Sequence, residues 1–191
     1  MKSVWLFVIG AVSGAAVTAF PRIATHLHTA LRVGSGSRRD SGIMRAHSEE
    51  RFAFTARAPI EQVAPLFGAD KERAWAPGWD PHFVHPVPAS DEEGMVFTVA
   101  HSHLRSVWVN TEFDPKAGRV QYVYLIPDTM VTMITLRLIA EGKQTRVDVE
   151  YDRTALSEEG DVHVRHMGEQ DREAGPDWAK QVNEYLEKGK G

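Results

Sequence analysis

Histidines are the side chains of this sequence whose spacing comes closest to that of a chemical site. His101 and His103 are two residues apart and would share one face of a strand, while His163 and His166 are three apart, a helical spacing. Zinc sites use histidines at such spacings together with a third protein ligand. The chain has no H-E-x-x-H motif to complete the arrangement, so we predict no metal site.

Acid–base and nucleophilic chemistry have no recognisable motif either. The sequence contains no cysteine, no G-x-S-x-G elbow and no glycine-rich phosphate loop, so no cofactor is expected. The acidic runs 91–93 and 158–159 fall in turns or helix starts, where charge is normally solvated. Glu112 and Arg137 interrupt apolar strands, and alternation places Arg137 on the outer face of a sheet. No catalytic residue is nominated, and whether the protein is an enzyme stays open.

Length and charge narrow the class of protein. A chain of 191 residues fits one domain with an accessory segment. Its formal net charge is −4, and no basic block is large enough to follow a phosphate backbone. Nucleic acid is therefore excluded as a partner.

The N-terminal segment predicts a membrane anchor. Residues 4–20 contain no charged side chain, and about 17 apolar residues are the practical minimum for a spanning helix. A cleavable signal peptide is the alternative, because Val17, Thr18 and Ala19 approximate a small-residue cleavage site. We interpret the run as an uncleaved single-pass anchor in the cell membrane.

Charge and composition next to this run divide the chain in three. Arginines outnumber other charged residues just after residue 20, and this excess favours the cytoplasmic side for the folded domain. A cleaved signal peptide or a conventional signal-anchor would instead place the domain outside the cell. We expect residues 1–33 to form the anchor and a juxtamembrane helix, and residues 34–46 a flexible Gly/Ser-containing linker. The folded domain is predicted over 47–188.

Hydrophobic periodicity within that domain predicts one strand, two short helices, six strands and a terminal helix. The strands are expected near 49–57, 82–87, 94–102, 104–114, 118–126, 130–141 and 143–153. The short helices are expected from Pro59 and over 70–75. In the last helix Trp178, Val182 and Tyr185 share one stripe, and Gly175–Pro176 either begins this helix or kinks a longer one.

This element order and several local motifs resemble a known superfamily. The motifs are the helix start at 58–63, the Trp-Ala-Pro-Gly-Trp-Asp run at 75–80, Phe-Asp-Pro at 113–115, the last strand at 145–151 and the closing helix at 178–186. Together they resemble the SRPBCC or START-like superfamily, which includes polyketide-cyclase-like proteins. The resemblance implies an α+β helix-grip fold, in which a curved antiparallel sheet surrounds a long C-terminal helix and leaves an apolar cavity.

The resemblance also implies a function, which we state as an expectation. We expect the membrane-tethered domain to bind a small hydrophobic ligand, such as a lipid, an isoprenoid or an aromatic metabolite, with the loop 75–79 as a gate. The alternatives are a cyclase/dehydratase-type enzyme acting in the same cavity and a protein-interaction module of the chaperone-activator type. The predicted cavity residues are Trp75, Trp79, Phe97, Trp108, Tyr122, Tyr124, Ile134, Leu136, Tyr151, Trp178, Val182 and Tyr185.

Overall fold

The structure is a computed structural model that describes residues 44–101 and 104–189. The predicted anchor at 4–20, the juxtamembrane segment and nearly all of the linker lie outside the described residues. Within the two described ranges, no helix has both the length and the apolar character needed to cross a bilayer.

One antiparallel sheet of seven strands organises the domain. Its spatial order is β1-β7-β6-β5-β4-β3-β2, so the first strand of the chain pairs with the last. Tight turns join consecutive strands from β4 to β7, and Gly118 and Gly142 take positive φ in two of them, a conformation that glycine adopts without strain. The strands are β1 His47–Ala56, β2 Pro81–His85, β3 Val96–His101, β4 Leu104–Asp114, β5 Arg119–Ile126, β6 Met130–Glu141 and β7 Gln144–Ala155.

Alternation along the strands separates an inner from an outer face. On β5 the buried residues are Val120, Tyr122, Tyr124 and Ile126, the stripe that alternation predicts. On β4 the sequence left the direction undecided. There Ser106, Trp108 and Asn110 are buried while Val107 is exposed. The side chain of Trp108 therefore faces the core, and that of Val107 faces outward.

A compact connection links β1 to β2 and closes one end of the sheet. It consists of α1 (Ile60–Val63), a 3-10 turn (Ala64–Phe67) and α2 (Ala69–Glu72), followed by the Trp75–Trp79 loop. Both predicted short helices are therefore present, although the second begins and ends slightly earlier than the interval 70–75.

The predicted long C-terminal helix is in fact two helices in series, α3 (Glu158–Glu173) and α4 (Gly175–Lys188), which meet at Ala174. Pro176 lies in the first turn of α4, and because proline has no N–H it cannot continue the hydrogen-bond ladder of α3. The side chain of Ser157 accepts a hydrogen bond from the Gly160 N–H at 3.0 Å and begins α3. Helix α3 packs against β1 and β7, and α4 packs against β1.

Candidate functional site

A small cavity lies in the interior of the domain, between the inner face of the sheet and the helices. Its volume is about 20 Å³, roughly the space that one water molecule needs. Six of its nine lining residues are aromatic, and only one carries a charge in its ordinary ionised form. The lining residues are Glu72, Trp79, Phe97, Trp108, Tyr122, Ile134, Leu136, Tyr151 and Trp178.

The structure brings eight of the twelve predicted cavity residues together around this space. The other four lie elsewhere. Val182 is core packing on α4, and Tyr124 stacks on Trp108 with ring centroids 4.2 Å apart. Trp75 and Tyr185 line a separate groove at the surface. Whether the eight residues bind a ligand stays a prediction.

The Trp75–Trp79 loop is tied to the connection that precedes it. The indole N–H of Trp75 donates to the carbonyl of Leu66 at 2.7 Å, and that of Trp79 donates to the carbonyl of Ala69 at 2.8 Å. The Trp75 ring packs between Phe67 and Trp178, at 5.6 and 5.7 Å between centroids. The loop is therefore a closed wall of the cavity, latched by two buried hydrogen bonds.

Glu72 is the cavity residue that sequence reasoning missed. It ends α2 among charged neighbours, a pattern that is typical of a solvated helix. The residue is partly exposed, yet its carboxyl reaches the cavity wall beside Trp79 and Tyr122. Burial raises the pKa of this carboxyl well above its ordinary 4.5, and the nearby Asp91 carboxylate raises it further. One signal was available: Glu72 lies three residues after the buried Ala69, on the same side of the short helix.

Asp91 holds the start of α2 in place and thereby helps to position Glu72. Its carboxylate accepts hydrogen bonds from the backbone N–H groups of Asp70 at 2.8 Å and Lys71 at 3.3 Å. A Cβ at Gly68 would lie 2.3 Å from the Asp91 carboxyl carbon, so this close approach requires glycine. The sequence predicted a solvated acidic turn at 91–93. That prediction is wrong for Asp91, because the long-range contact with α2 is invisible in the local pattern.

Tyr122 connects Glu72 to a second buried polar group. The hydroxyl of Tyr122 donates to the carbonyl of Phe67 at 2.9 Å. Burial raises the pKa of this hydroxyl well above 10, Glu72 and Asp91 raise it further, and Asn110 opposes the rise. The fully buried amide of Asn110, directly across the ladder from Tyr122, makes no hydrogen bond of ordinary geometry within the described residues. Glu72 and Asn110 thus both lie near one phenol.

A different kind of polar cluster occupies the interior near α3. Arg153 is fully buried, and its guanidinium forms two hydrogen bonds to the Asp171 carboxylate, at 2.6 and 2.9 Å. It also donates to the Tyr124 hydroxyl and, at 3.1 Å, to Thr132 Oγ1. The guanidinium carbon lies 4.5 Å from the ring centroid of Tyr151, which lines the cavity on its other side.

Within this Arg153 cluster the positive charge of Arg153 is balanced by the carboxylate of Asp171. Burial alone lowers the pKa of Arg153, but Tyr124 and Asp171 raise it by more, so the guanidinium stays charged. Burial raises the pKa of Asp171, and the guanidinium opposes that rise. Val147, Val149 and Tyr151 alternate on the buried face of β7, and Arg153 is the next residue of that stripe.

The remaining candidates that the structure describes are distributed over the surface, and His103, predicted to share a strand face with His101, lies outside the described residues. Arg137 is exposed, and Glu112 pairs with Arg119 on the outer face. His163 lies 4.0 Å from Glu159 while His166 contacts Gln170, so the two histidines have different partners. Within the described ranges, no three His, Cys, Asp or Glu side chains are grouped as metal ligands would be.

The arrangement around Glu72 limits the possible chemistry. A protonated Glu72 can donate a hydrogen bond or a proton to a group in the cavity, and an ionised Glu72 can pair with a cation. The cavity therefore has one carboxyl that can serve as an acid or a base, which is the minimum requirement of a cyclase/dehydratase-type enzyme. Among the described residues, no second carboxyl and no histidine lines it.

Comparison with solved structures identifies the fold. Norcoclaurine synthase from Thalictrum flavum matches with a TM-score of 0.55 at 9% identity, over 85% of this chain and 98% of that chain. TTHA0849 from Thermus thermophilus matches with a TM-score of 0.55 at 17% identity, over 75% and 99%. Ara h 8.0201 matches with a TM-score of 0.54 at 14% identity, over 74% and 98%. The predicted α+β helix-grip fold is confirmed.

Sequence comparison adds nothing to this result. No family model matches the chain, and no curated protein matches it. At these identities the structural likeness establishes the fold, and the function has to be argued from the site.

Proposed function

We propose that the domain binds a small hydrophobic ligand in the cavity between the sheet and α4. One observation carries the proposal. The cavity is lined almost wholly by aromatic and aliphatic side chains, and Glu72 is placed among them with no hydrogen bond or ion pair to its carboxyl in the described part of the chain. Binding sites for small molecules combine an apolar wall with a few polar groups that orient the ligand. Burying such a carboxyl is unfavourable for folding, so a functional reason is the better explanation.

The comparisons support a ligand role in one respect. Norcoclaurine synthase, which shares the fold, is known in complex with dopamine and hydroxybenzaldehyde; that structure matches this chain with a TM-score of 0.56 at 8% identity over 85% of the chain. The fold can therefore enclose small aromatic molecules.

Ligand binding requires the wall of the cavity to move, because about 20 Å³ is far below the volume of a metabolite. The Trp75–Trp79 loop is the segment whose displacement would open the space, since Trp79 is both a wall residue and the residue latched to Ala69. Moving Trp79 requires breaking its hydrogen bond to the Ala69 carbonyl, and a bond of this kind contributes about 1 kcal/mol to stability.

Tethering to a membrane is part of the proposal. The uncharged run 4–20 and the linker that follows it would keep the cavity close to the bilayer, from which hydrophobic ligands partition. We propose the cytoplasmic side for the domain, on the arginines that follow the run.

The test uses the full chain, purified in detergent, and two matched variants. Ile134→Phe adds volume on the inner face at the cavity, whereas Met133→Phe adds similar volume one residue away on the outer face. We expect lipophilic species in mass spectra of organic extracts of the wild type and of Met133→Phe, and little in Ile134→Phe. Circular dichroism checks that both variants fold. If the wild-type extract contains no lipophilic species and the protein binds none in a lipid screen, the proposal is wrong.

An interaction module of the chaperone-activator type is the second candidate. Two observations favour it: the interior is nearly filled, and Val107, Leu125 and Met133 are exposed on the outer face of the sheet. Under this alternative Met133→Asp would abolish binding of a protein partner, while the extracts of the wild type would contain no ligand.

A further inference from the structure

Among the described residues, the interior around Glu72 contains negative and aromatic groups but no free positive charge. The charged group that acts most strongly on Glu72 is Asp91, which has the same sign. Arg73, the next residue, is engaged with Asp70, Asp80 and the carbonyl of Pro81. Arg153, on the far side of Tyr151, is engaged with Asp171. In the described ranges, no cation of the protein therefore compensates the Glu72 carboxyl.

The walls of the cavity favour a cation for an independent reason. Aromatic rings attract positive charge through their quadrupole, and the attraction is stronger where water is excluded. Six rings surround the cavity, and Trp79, Phe97 and Trp108 pack on one another with centroids 5.3 to 5.9 Å apart. A neutral apolar ligand would be served equally well by leucine and isoleucine, which contribute only two of the nine lining residues.

Asn110 adds a second buried polar side chain, which makes no hydrogen bond of ordinary geometry within the described residues. Neither polar atom of its buried side chain is hydrogen-bonded in the described part of the chain. Buried amides are nearly always satisfied, so such an atom requires an explanation. The amide oxygen of Asn110 can face a cation, and the Asn110 side chain lies near the same Tyr122 hydroxyl that Glu72 acts on.

We propose that the ligand carries a positively charged nitrogen, a protonated or quaternary amine on an apolar body, which lies against the aromatic rings and pairs with Glu72. This inference rests on the proposed ligand-binding function and narrows it to one chemical class. The ligand supplies the positive charge that the protein lacks at this position.

Binding of such a cation is coupled to a proton. In the free protein the Glu72 carboxyl is protonated over a wider pH range than an exposed glutamate, because its pKa is raised. When an ammonium group binds, Glu72 ionises, and its proton passes to the solvent. The titratable groups around it are Asp91, Tyr122 and Tyr151, and both tyrosines stay protonated because burial raises their pKa well above 10. A neutral ligand releases no proton.

The test compares two probes of the same shape. Benzyltrimethylammonium and neopentylbenzene differ in one central atom, which is a charged nitrogen in the first and a carbon in the second. Tryptophan fluorescence of the full chain measures their affinities, and calorimetry of the cation in buffers with different ionisation heats measures proton release. The variants are Glu72→Gln and, as a matched control, Glu61→Gln, because Glu61 is exposed on α1.

We expect the wild type and Glu61→Gln to bind the cation at least tenfold more tightly than its neutral isostere and to release up to one proton. Glu72→Gln should lose most of this preference, keep only the part that the aromatic rings supply, and release no proton. If both probes bind equally to the wild type and no proton is released, the cation inference is overturned while the proposed function stands. If neither probe binds and extracts contain no ligand, both are overturned. Proton release by the wild type decides the question even if Glu72→Gln fails to fold.

Discussion

Two carboxyl groups reach the interior of this domain, and their surroundings differ: Asp171 is fully buried, whereas Glu72 is partly exposed. Asp171 on α3 faces the guanidinium of Arg153, which forms two hydrogen bonds to it and is itself held by Tyr124 and Thr132. Glu72 at the end of α2 faces aromatic rings and the like charge of Asp91. Tyr151 lies between the two regions, in contact with Arg153 on one side and with the cavity on the other.

The difference separates a structural role from a candidate site. A buried charge is tolerated when its partner and its hydrogen bonds are complete, and the Arg153 cluster meets this condition within the protein. The Glu72 region does not meet it, so its compensation has to come from protonation or from a ligand. Four variants test this contrast.

The largest effect is expected when the compensated cluster is broken. Arg153→Met leaves Asp171 buried without its partner, and removal of one member of such a pair destabilises a protein by about 3 to 5 kcal/mol. Urea unfolding of the purified protein measures the loss. The double variant Arg153→Met with Asp171→Leu is the control, because replacing both charges by apolar groups is often close to neutral. A loss below about 1 kcal/mol for the single variant would contradict the structural role.

A smaller loss is expected when the Glu72 region is crowded. Gly68→Ala places a methyl group 2.3 Å from the Asp91 carboxyl carbon and forces Asp91 away from the first N–H groups of α2. Overpacking of this kind costs about 1 to 3 kcal/mol. Thermal unfolding measures it, and Gly94→Ala serves as a comparison in which an added Cβ meets no atom but takes a positive φ. An unchanged midpoint in Gly68→Ala would show that Asp91 moves freely.

The third effect depends on pH and has the opposite sign. The pKa of Glu72 is raised in the folded state above its unfolded value of about 4.5, so its contribution to stability is complete below that pH and is lost as the pH rises through the folded pKa. Glu72→Gln removes this loss. We therefore expect the variant to match the wild type near pH 4 and to unfold several degrees higher at pH 8. A variant less stable than the wild type at pH 8 would disprove the uncompensated state of Glu72.

The smallest effect is expected when the charge of Asp91, which lies near Glu72 in space, is removed. Asp91→Asn removes the like charge but leaves an oxygen that can accept from the Asp70 N–H. Because Asp91 raises the pKa of Glu72, its removal should move the pH range in which stability is lost to lower values. Thermal midpoints measured from pH 4 to 9 follow this shift. Asp80→Asn, an exposed acid outside the cavity, should leave the range unchanged.

The architecture was accessible from the sequence because strands and helices have local signatures. Alternation along 118–126 and 130–141 predicted both the strands and their buried stripes, and the Trp-Ala-Pro-Gly-Trp-Asp run led to the fold. The direction of Trp108 was not accessible, because Trp108 and Val107 are both good core residues. The division of the terminal helix at Ala174 was also left open, since Gly175 and Pro176 are compatible with a start or a kink.

The aromatic residues of the cavity could be named from the sequence, because large rings on the inner face of a strand are buried in the core. The partners of Glu72, Asn110 and Arg153 could not be named, although alternation leads to Arg153 and the spacing from Ala69 points to Glu72. Each is a polar residue whose environment is set by segments remote in the chain, such as the approach of the Asp91 loop to α2 or of Asp171 to β7.

What the sequence determined by itself is the order of strands and helices and the apolar, aromatic character of the interior, while the helix-grip arrangement was implied by the resemblance to a known superfamily. Periodicity and turn chemistry are local, and they do not depend on which segments meet. Only the tertiary structure decided which polar groups enter that interior and which of them find a partner. Desolvation and charge compensation arise between residues that are tens of positions apart, and this is why Arg153 is compensated within the fold and Glu72 is not.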